Sequence, residues 1–508
     1  MKYKPTIGIE CHVQLCTKTK LFSEVDNDAR GKEPNSCVSP VDYALPGMLP
    51  RLNGEAINFA IRAGCAMNCE INASSRFDRK HYFYPDSPKG YQITQFYHPI
   101  IGAGYVELPS GTRVRIEHAH LEGDAGKLTH FDSYSLVDLN RVDTPLIEIV
   151  SMPDIHSAKD VHDYCKELWR LMCYAGVTYG DLYNGNMRFD VNISLAPESS
   201  TKLGTRAEIK NLNSFRSAER ATEYEIKRQT KILEAGEKVK QETRGWNDTT
   251  GKTSPQRSKE VAADYRYMPE PDIPPINLSE EFIATESAKL PLMPVDYRKM
   301  FGEIIKTDTL EILLDYPQLM QKILETTKLE EPSFSERSLA PVVTGLGRSR
   351  CAPSAQRLLK RDSSSFAIML ISNLFATVLL AEEKSAEYLN DLPAAKDLAE
   401  LAKMNESKEL SSTATKEVFL RLFDPQMKGR GAKQIAKELG LIQENDLGAL
   451  EKIVDAVLAK PETRKAQEDF RAGEEKVIGF LVGQVMKESH GKANPSMAQE
   501  ILRKKLTK

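Results

Sequence analysis

Residues 6–14 read Thr6-Ile-Gly-Ile-Glu-Cys-His-Val-Gln14, and apolar side chains alternate with polar ones along this stretch. Successive side chains of a strand point to opposite faces. One face therefore carries the apolar set Ile7, Ile9, Cys11 and Val13, and the other carries Gly8, Glu10, His12 and Gln14. This period of two predicts a half-buried β-strand whose polar face bears an acid and an imidazole.

Four later segments repeat the alternation and add charged groups to a polar face. They lie at residues 115–124, 146–150, 186–194 and 205–210. For one strand alone, the solvated face of an antiparallel sheet is the commoner explanation. The polar faces of these segments carry His118, His120, Glu122, Asp124, Glu148, Arg188, Asp190, Asn192, Ser194, Arg206, Glu208 and Lys210.

Several strands that combine His, carboxylates, Arg and Lys favour a binding site over a solvated face. Clustered carboxylates with His ligate divalent cations, and clustered Arg and Lys bind phosphate. The chain has no Gly-x4-Gly-Lys-Ser/Thr loop, so side chains and metal would have to hold a nucleotide. The pattern predicts metal-assisted phosphoryl chemistry on a sheet surface.

The segment from Arg76 to Gln92 interleaves basic residues with five aromatic side chains and contains two prolines. We expect an extended loop, and two interpretations of it stand. It is either an exposed connection with aromatic anchors, or a loop that covers a substrate and presents Arg79, Lys80 and Lys89 to anionic groups.

Composition places limits on the class of protein. The 508 residues, 41% hydrophobic and 28% charged with a net charge of −3, argue against a generic nucleic-acid or membrane-surface binder. No stretch reaches the about 18 apolar residues of a membrane span, and the N-terminus lacks a signal-peptide core. The eight cysteines contain no Cys-x-x-Cys pair, so we expect a reduced, cytoplasmic protein without a membrane partner.

The chain changes character along its length. Eight of the nine histidines lie between His12 and His162, and helical periodicity dominates from about Leu290. We interpret the proline-rich residues 268–275 as the hinge between these parts, and expect the chemistry before it. Beyond it, helical patterns lie at residues 308–327 with a break at Pro317, and at residues 354–360, 365–381 and 392–404.

The chain resembles the GatB family of the aspartyl/glutamyl-tRNA amidotransferases almost from end to end. The resemblance rests on long motifs spread over the chain. They are Ile7-Gly-Ile-Glu-Cys-His12, Ala44-Leu-Pro-Gly-Met-Leu-Pro50, Phe77-Asp-Arg-Lys80, Tyr82-Phe-Tyr-Pro-Asp86, Pro88-Lys-Gly-Tyr-Gln92, Asp124-Ala-Gly-Lys127, Thr144-Pro-Leu-Ile-Glu-Ile-Val-Ser151, Glu208-Ile-Lys-Asn-Leu-Asn-Ser-Phe215, Gln241-Glu-Thr-Arg-Gly-Trp246, Asp264-Tyr-Arg-Tyr267 and Gly479-Phe-Leu-Val-Gly-Gln-Val-Met-Lys487.

The resemblance implies an α+β protein of three domains. A cradle domain on a glutamine-synthetase-like antiparallel sheet spans residues 1–292, an all-α helical domain 293–408, and an all-α YqeY-like tail 409–508. The implied activity uses ATP and Mg²⁺ to phosphorylate the Glu or Asp side chain on misacylated tRNA, which ammonia then converts to the amide. The implied partners are a separate glutaminase (amidase) chain, the small third chain of the amidotransferase (GatC), and the misacylated tRNA.

The resemblance also implies roles for particular residues. The expected metal ligands are Glu10, His12, Glu122, Asp124 and Glu208, and the expected catalytic residues are Glu10, His12, Arg79, Lys80 and Lys89. Phosphate contacts are expected from Arg188, Arg206 and Lys210. Contacts to the tRNA backbone are expected from Lys428, Arg430, Lys433 and Lys492, although solvated helix faces explain these four equally well.

The chain departs from the family pattern at clustered positions. Gly123 replaces an acidic residue, Tyr183 and Asn184 stand in an expected Glu-Glu-Gly-Ser segment, Asp143 replaces Gly, and Met152 replaces Glu. Loss of carboxylates weakens a hard-cation site. Two hypotheses follow: an active ATP-dependent enzyme component, or a diverged paralogue that binds tRNA and partner chains with a lost or repurposed phosphoryl step.

Overall fold

The chain, described by a computed structural model at residues 2–258, 264–330, 362–382, 385–443, 447–489, 493 and 495–507, forms two compact units. They are Met1–Pro294 and Val295–Lys508. The first unit combines a large sheet with helices, and the described part of the second is helical. The predicted order, a sheet-bearing part followed by an all-α part, is confirmed. The division at residues 292 and 408 stays a prediction.

The first unit is built on an eight-stranded sheet with the strand order β13-β12-β11-β10-β1-β9-β6-β5. Its neighbours pair antiparallel except β11 and β12, which run parallel. The strands of the unit are β1 (Tyr3–Gln14), β2 (Ser74–Ser75), β3 (Asp78–His81), β4 (Tyr91–Thr94), β5 (Gly104–Glu107), β6 (Arg113–Gly123), β7 (Lys127–His130), β8 (Ser135–Asp138), β9 (Pro145–Ser151), β10 (Met187–Pro197), β11 (Ala207–Leu212), β12 (Glu242–Asn247), β13 (Lys252–Ser258), β14 (Met268–Pro269) and β15 (Ile276–Asn277).

Helices cover the apolar face of this sheet. They are α1 (Gly54–Ala66), α2 (Ala158–Tyr174) and α3 (Phe215–Glu234), and α4 (Glu280–Ala288) packs against α1. Helices α2 and α3 each begin after a serine whose hydroxyl accepts a hydrogen bond from a backbone N–H of the first turn, which satisfies one of the free donors there. The Phe189 ring of β10 contacts Phe215 of α3. The predicted inward residues Ile7, Ile9, Cys11 and Val13 are fully buried, so the polar face is left for the site.

The segment at residues 76–92 is not the extended loop that we expected. Strand β3 pairs with β4 on one side and with β14 on the other, so Arg79 and Lys80 lie within a small three-stranded sheet. Only the connection between β3 and β4, which carries Lys89, is a loop. Backbone pairing on both sides of β3 satisfies donors and acceptors that a loop would leave to solvent.

The proline-rich residues 268–275 do not divide the chain as we expected. They lie within the first unit, where β14 pairs with β3 and the Glu270 N–H donates to the Phe77 carbonyl. The Glu270 carboxylate also binds Arg79, with Nε–Oε2 at 2.8 Å. These contacts tie the stretch to the sheet-bearing unit, and the two units divide at Pro294.

The second unit contains helices in its described residues. They are α5 (Pro294–Phe301, which begins at the boundary), α6 (Thr307–Leu313), α7 (Pro317–Glu330), α8 (Asp362–Thr377), α9 (Ser385–Tyr388), α10 (Ala395–Glu406), α11 (Ser412–Arg421), α12 (Ala432–Glu438), α13 (Leu447–Leu458), α14 (Arg464–Arg471), α15 (Ile478–Glu488) and α16 (Pro495–Leu506). The predicted break at Pro317 separates α6 from α7. The predicted helix at 354–360 lies outside the described residues.

The last helices share a core of their own. Leu450 and Val454 of α13, Leu481 of α15 and Leu502 of α16 are fully buried in one apolar cluster. The preceding α10 instead packs against α7, α8, α11 and α12. Across the described part of the chain, every helix is too short or too polar to span a membrane.

Candidate functional site

One group of ligand side chains lies where three central strands meet on the polar face. His12 of β1, Glu122 of β6 and Glu148 of β9 form this histidine cluster. Its geometry follows from the register, because His12 and His120 both lie opposite Glu148. His12 Nε2 is 3.6 Å from Glu122 Oε1 and 3.7 Å from Glu148 Oε2. Donor atoms at this spacing can share one cation.

A second group lies on the neighbouring strands. Glu10 of β1, Asp190 of β10 and Glu208 of β11 form the acidic cluster, whose carboxylate oxygens all lie within 4.8 Å of one another. Glu10 is opposite Asp190 in the ladder between β1 and β10. Glu10 accepts a hydrogen bond from Asn192, and Glu208 accepts one from Thr243, each at 2.8 Å. These bonds hold two of the three carboxylates in place.

The two clusters differ in electrostatics. Burial favours the neutral form of Glu122, but His120, His12 and Lys80 outweigh it and hold the pKa of Glu122 at about 2. In the acidic cluster, burial and the neighbouring carboxylates, above all Glu148 and Asp190, raise the pKa of Glu10. Like charges that are gathered this closely are stabilised by a cation.

Lys210 already supplies part of that positive charge. Its Nζ is 2.5 Å from Asp190 Oδ2 and 3.1 Å from Glu208 Oε1. Although burial opposes the charged form, these two carboxylates raise the pKa of Lys210. The ammonium group therefore stays charged beside the acidic cluster and can meet an anionic ligand there.

A cavity of about 460 Å³ opens over the histidine cluster. Its lining includes His12, Glu122, Glu148 and Asp190 of the sheet, and part of its wall comes from β3 and from the loop before β4. Lys80 and Lys89 line that wall. The cavity therefore brings carboxylates and ammonium groups together, and Lys210 and Arg188 line it as well.

A second cavity, of about 260 Å³, lies on the other side of Glu10. Glu10, Asn192 and the exposed Arg206 line it. Arg206 precedes β11, and so it does not join Glu208 and Lys210 in one row as the alternation suggested. Glu10 thus lies at the wall of one cavity, and its cluster partner Asp190 at the wall of the other.

The predicted basic residues are placed in different surroundings. Lys80 lines the main cavity, with its Nζ 5.1 Å from the centre of the Tyr265 ring. Arg79 instead binds Glu270 and Asp272, at 2.8 and 3.1 Å. Lys89 binds Asp143, with Nζ–Oδ2 at 2.5 Å. Arg188 lines the main cavity and contacts Asp124 at 3.3 Å.

Asp124 differs from the other predicted metal ligands because it lies outside both clusters. Strand β6 ends at Gly123, so the alternation that would have aligned Asp124 with Glu122 does not continue. The Asp124 carboxylate instead forms ion pairs with Arg141 and Arg188. It lines the main cavity as part of this network.

The five positions that depart from the family pattern lie in different parts of the first unit. Gly123 and Asp143 line the main cavity. Tyr183 is exposed, and Asn184 hydrogen-bonds to Asp181 in the loop before β10. Met152 follows β9, where its N–H donates to the Arg115 carbonyl.

The predicted tRNA contacts lie on the second unit and pair locally. Lys428 binds Asp391 at 2.6 Å, Arg430 binds Glu438, and Lys433 is 3.8 Å from Glu409. Both side chains of the first pair are 71% exposed, as expected of a solvated surface. Lys492 lies outside the described residues.

Glu148 and Asp190 belong to the clusters but were not among the predicted metal ligands. Both stand on predicted polar faces, and alternation alone gives neither of them a partner. The missing information is strand register, which places Glu148 opposite His12 and Asp190 opposite Glu10. Strands β1 and β9 are far apart in the chain, so local sequence does not specify their pairing.

Carboxylates with one imidazole are a donor set that suits Mg²⁺ or Mn²⁺, and ammonium groups across a cavity suit phosphate. The mostly antiparallel sheet presents both kinds of group on its polar face. Residues 5–284 match the model of the GatB/GatE catalytic domain, and residues 358–506 match that of the GatB domain. The chain belongs to the GatB family.

Curated relatives align with the whole chain. Proteins named as the B subunit of aspartyl/glutamyl-tRNA(Asn/Gln) amidotransferase, from Thermotoga neapolitana and Persephonella marina, are each 40% identical to it. The alignments cover 100% of this chain and 99% and 100% of the relatives. The protein of that name from Clostridium tetani is 39% identical, with 100% of both chains covered.

Proposed function

We propose that this chain is the GatB component of a tRNA-dependent amidotransferase, a carbon–nitrogen ligase that uses glutamine as amide donor. The observation that carries the proposal is the presence of two three-ligand clusters on the sheet, together with Lys80 and Lys89 in the lining of the main cavity. The relatives' shared name, and their alignment over the full length, supply the substrate class, Glu-tRNA(Gln) or Asp-tRNA(Asn). In this proposal the sheet-bearing unit is a glutamine-synthetase-like cradle, and the tail is YqeY-like and contacts tRNA.

The reaction proceeds in two displacements. A side-chain carboxylate oxygen of the misacylated tRNA attacks the γ-phosphorus of ATP, and ADP leaves. Ammonia then attacks the acyl carbon, and inorganic phosphate leaves with the oxygen that it carries. The first step turns a poor leaving group into a good one, which makes attack by ammonia feasible. The glutaminase partner releases the ammonia from glutamine, and the small GatC partner joins the complex.

The residues of the chain hold the reactants for these steps. The histidine cluster and the acidic cluster would hold Mg²⁺, which would neutralise the charge of the triphosphate when bound. Arg206 and Lys210 flank the acidic cluster from the two cavities and contact phosphate oxygens, as does Arg188. Lys80 and Lys89 attract the substrate carboxylate and stabilise the charge that develops on the transferred group.

The diverged-paralogue hypothesis rests on the five changed positions. Within the described residues, each of the two clusters keeps three ligand side chains, and neither includes Gly123, Asp143, Met152, Tyr183 or Asn184. Both three-ligand sets are therefore present despite the lost carboxylates. This supports the active enzyme.

A reconstituted complex tests the proposal. The chain is combined with the glutaminase and GatC partners, Glu-tRNA(Gln) or Asp-tRNA(Asn), glutamine and Mg-ATP, and both amidated tRNA and ADP are measured. We expect one ADP for each amide formed. Binding of tRNA without ADP release or amide formation would instead identify the diverged paralogue.

A further inference from the structure

The residue that ends strand β6 and a residue of the turn before β9 compete for one space beside the main cavity. Gly123 ends β6, and Asp143 lies in the turn before β9. A Cβ atom on Gly123 would lie 2.6 Å from Asp143 Oδ1 and 3.2 Å from Asp143 Cα. Real Cβ atoms do not approach oxygen that closely, so residue 123 can carry a side chain only if the side chain of residue 143 is moved or absent.

Asp143 occupies this space at a conformational cost. Its φ is +59°, in the left-handed region that glycine adopts readily and aspartate adopts less often. The backbone is fixed from both sides, because its N–H donates to the Asp124 carbonyl and its carbonyl accepts from the Leu21 N–H. A side chain that persists in such a conformation needs a compensating contact.

The compensating contact is with Lys89. Asp143 Oδ2 is 2.5 Å from Lys89 Nζ, and the two side chains are only 4% and 9% exposed. Burial raises the pKa of the Asp143 carboxyl, and the charge of Lys89 opposes that rise. The other charged groups that act on Asp143 are Asp42, which disfavours its ionised form, and Lys20, which favours it. Lys89 lines the main cavity, so the pair fixes where that ammonium group stands.

We propose that Asp143 is a positioning residue for Lys89, and that positions 123 and 143 are alternative sources of the single carboxylate that holds this lysine. A carboxylate introduced at position 123 would start from a Cβ that lies 2.6 Å from the present position of Asp143 Oδ1. The other oxygen of the same carboxylate, Oδ2, is the one that binds Lys89. Glycine at position 143 would relieve the positive φ. Loss of the carboxylate at position 143 is therefore offset by a carboxylate at position 123.

The proposal rests on the proposed function only for its activity measurement, and stability tests it independently. Asp143→Gly leaves a nearly buried ammonium unpaired, and Gly123→Asp forces two carboxylates into one space. We expect each single variant to lower the melting temperature of the full chain by about 5 °C or more, and the kcat of amide formation by about tenfold or more. The swap Gly123→Asp/Asp143→Gly should recover kcat to within about threefold of the parent chain and most of the melting temperature.

Two further variants separate charge from shape. Asp143→Asn keeps the volume and removes the charge, so kcat should fall at least about fivefold while the KM for ATP stays within about twofold. Asp26→Gly, which breaks an exposed ion pair with Lys32, should leave both readouts unchanged.

The outcomes distinguish this proposal from the proposed function. A swap that melts no higher than the poorer single variant, or single variants that match the parent, would overturn the shared carboxylate. An Asp143→Asn variant with full kcat would overturn the positioning role. If the complex forms no amide even with the parent chain, the proposed function is rejected. Recovery of the melting temperature by the swap would in that case still support the shared carboxylate.

Discussion

The two units arrange their charged residues in opposite ways. On the sheet, residues far apart in sequence meet in half-buried groups, as when His12 approaches Glu122 and Glu148. In the second unit, basic residues form ion pairs at the surface, as the exposed Lys428 does with Asp391. A buried group of like charges is costly and persists where it binds something, whereas an exposed ion pair contributes little and is compatible with any solvated surface.

Substitution of His12, in the first unit, should have the largest effect on activity. We expect His12→Ala to lower amide formation by about a thousandfold or more, because the substitution removes the imidazole that bridges two carboxylates. The affinity for tRNA should stay nearly unchanged. Amide formation and filter binding of tRNA, measured on the same reconstituted complex, check both expectations.

His130→Ala is the matched control for this variant. His130 is exposed on β7 and contacts Ser135, so its loss should leave amide formation intact. An equal loss of tRNA affinity and activity in His12→Ala would mean that His12 is structural, and the contrast between the two units would fail.

Glu208 tests the acidic cluster in the same way. Glu208→Gln keeps the shape of the side chain and removes one of three carboxylate charges, so we expect amide formation to fall about a hundredfold, with a higher Mg²⁺ requirement. A titration of activity against Mg²⁺ measures this change. Glu223→Gln, on an exposed part of α3, is the control, and an unchanged Mg²⁺ dependence in Glu208→Gln would remove the acidic cluster from the site.

Arg79 and Lys80 are neighbours on β3 that should separate stability from activity. Arg79→Met leaves the fully buried Glu270 carboxylate without its main partner, so we expect a loss of about 3 kcal/mol in the free energy of unfolding. Lys80→Met should lower activity with less than about 1 kcal/mol of destabilisation. Urea unfolding and amide formation compare them, and the reverse order of effects would contradict the placement of both side chains.

The smallest effects should come from the second unit. Single substitutions Lys428→Ala, Arg430→Ala or Lys433→Ala should weaken tRNA binding by no more than about threefold, and each should reduce the salt dependence of binding by about one ion. Binding measured at several salt concentrations checks this. An unchanged salt slope in all three variants would identify them as solvated helix faces.

The sequence predicted the face of a strand on which a residue lies better than it predicted the residue's partner on the adjacent strand. Alternation identified the polar faces of β1 and β10, because a period of two survives wherever one face is buried. It could not identify Glu148 and Asp190 as ligands, since partners across a ladder depend on register between distant segments. The same limit partly explains why residues 76–92 were expected to be a loop, because one strand that pairs with β3 lies far along the chain at residues 268–269. The other strand, β4, begins at Tyr91 within the segment and forms a local pair with β3 that the residue pattern did not reveal.

The ends of two strands explain why two other residues were misplaced by the prediction. Asp124 fits the alternation of β6, but the strand ends one residue earlier, and two arginines bind its carboxylate. Arg206 likewise precedes β11 and lines the second cavity. Strand ends depend on which backbone groups find partners, and the residue pattern does not record this.

Cation stoichiometry on the full chain is the most direct test of the two-cluster site. Mn²⁺ binding, followed by electron paramagnetic resonance in the presence of a nonhydrolysable ATP analogue, should reveal two ions per chain. His12→Ala and Glu208→Gln should each remove a different one. The absence of bound Mn²⁺, or a parent-like count in both variants, would contradict a metal site on the polar face of this sheet.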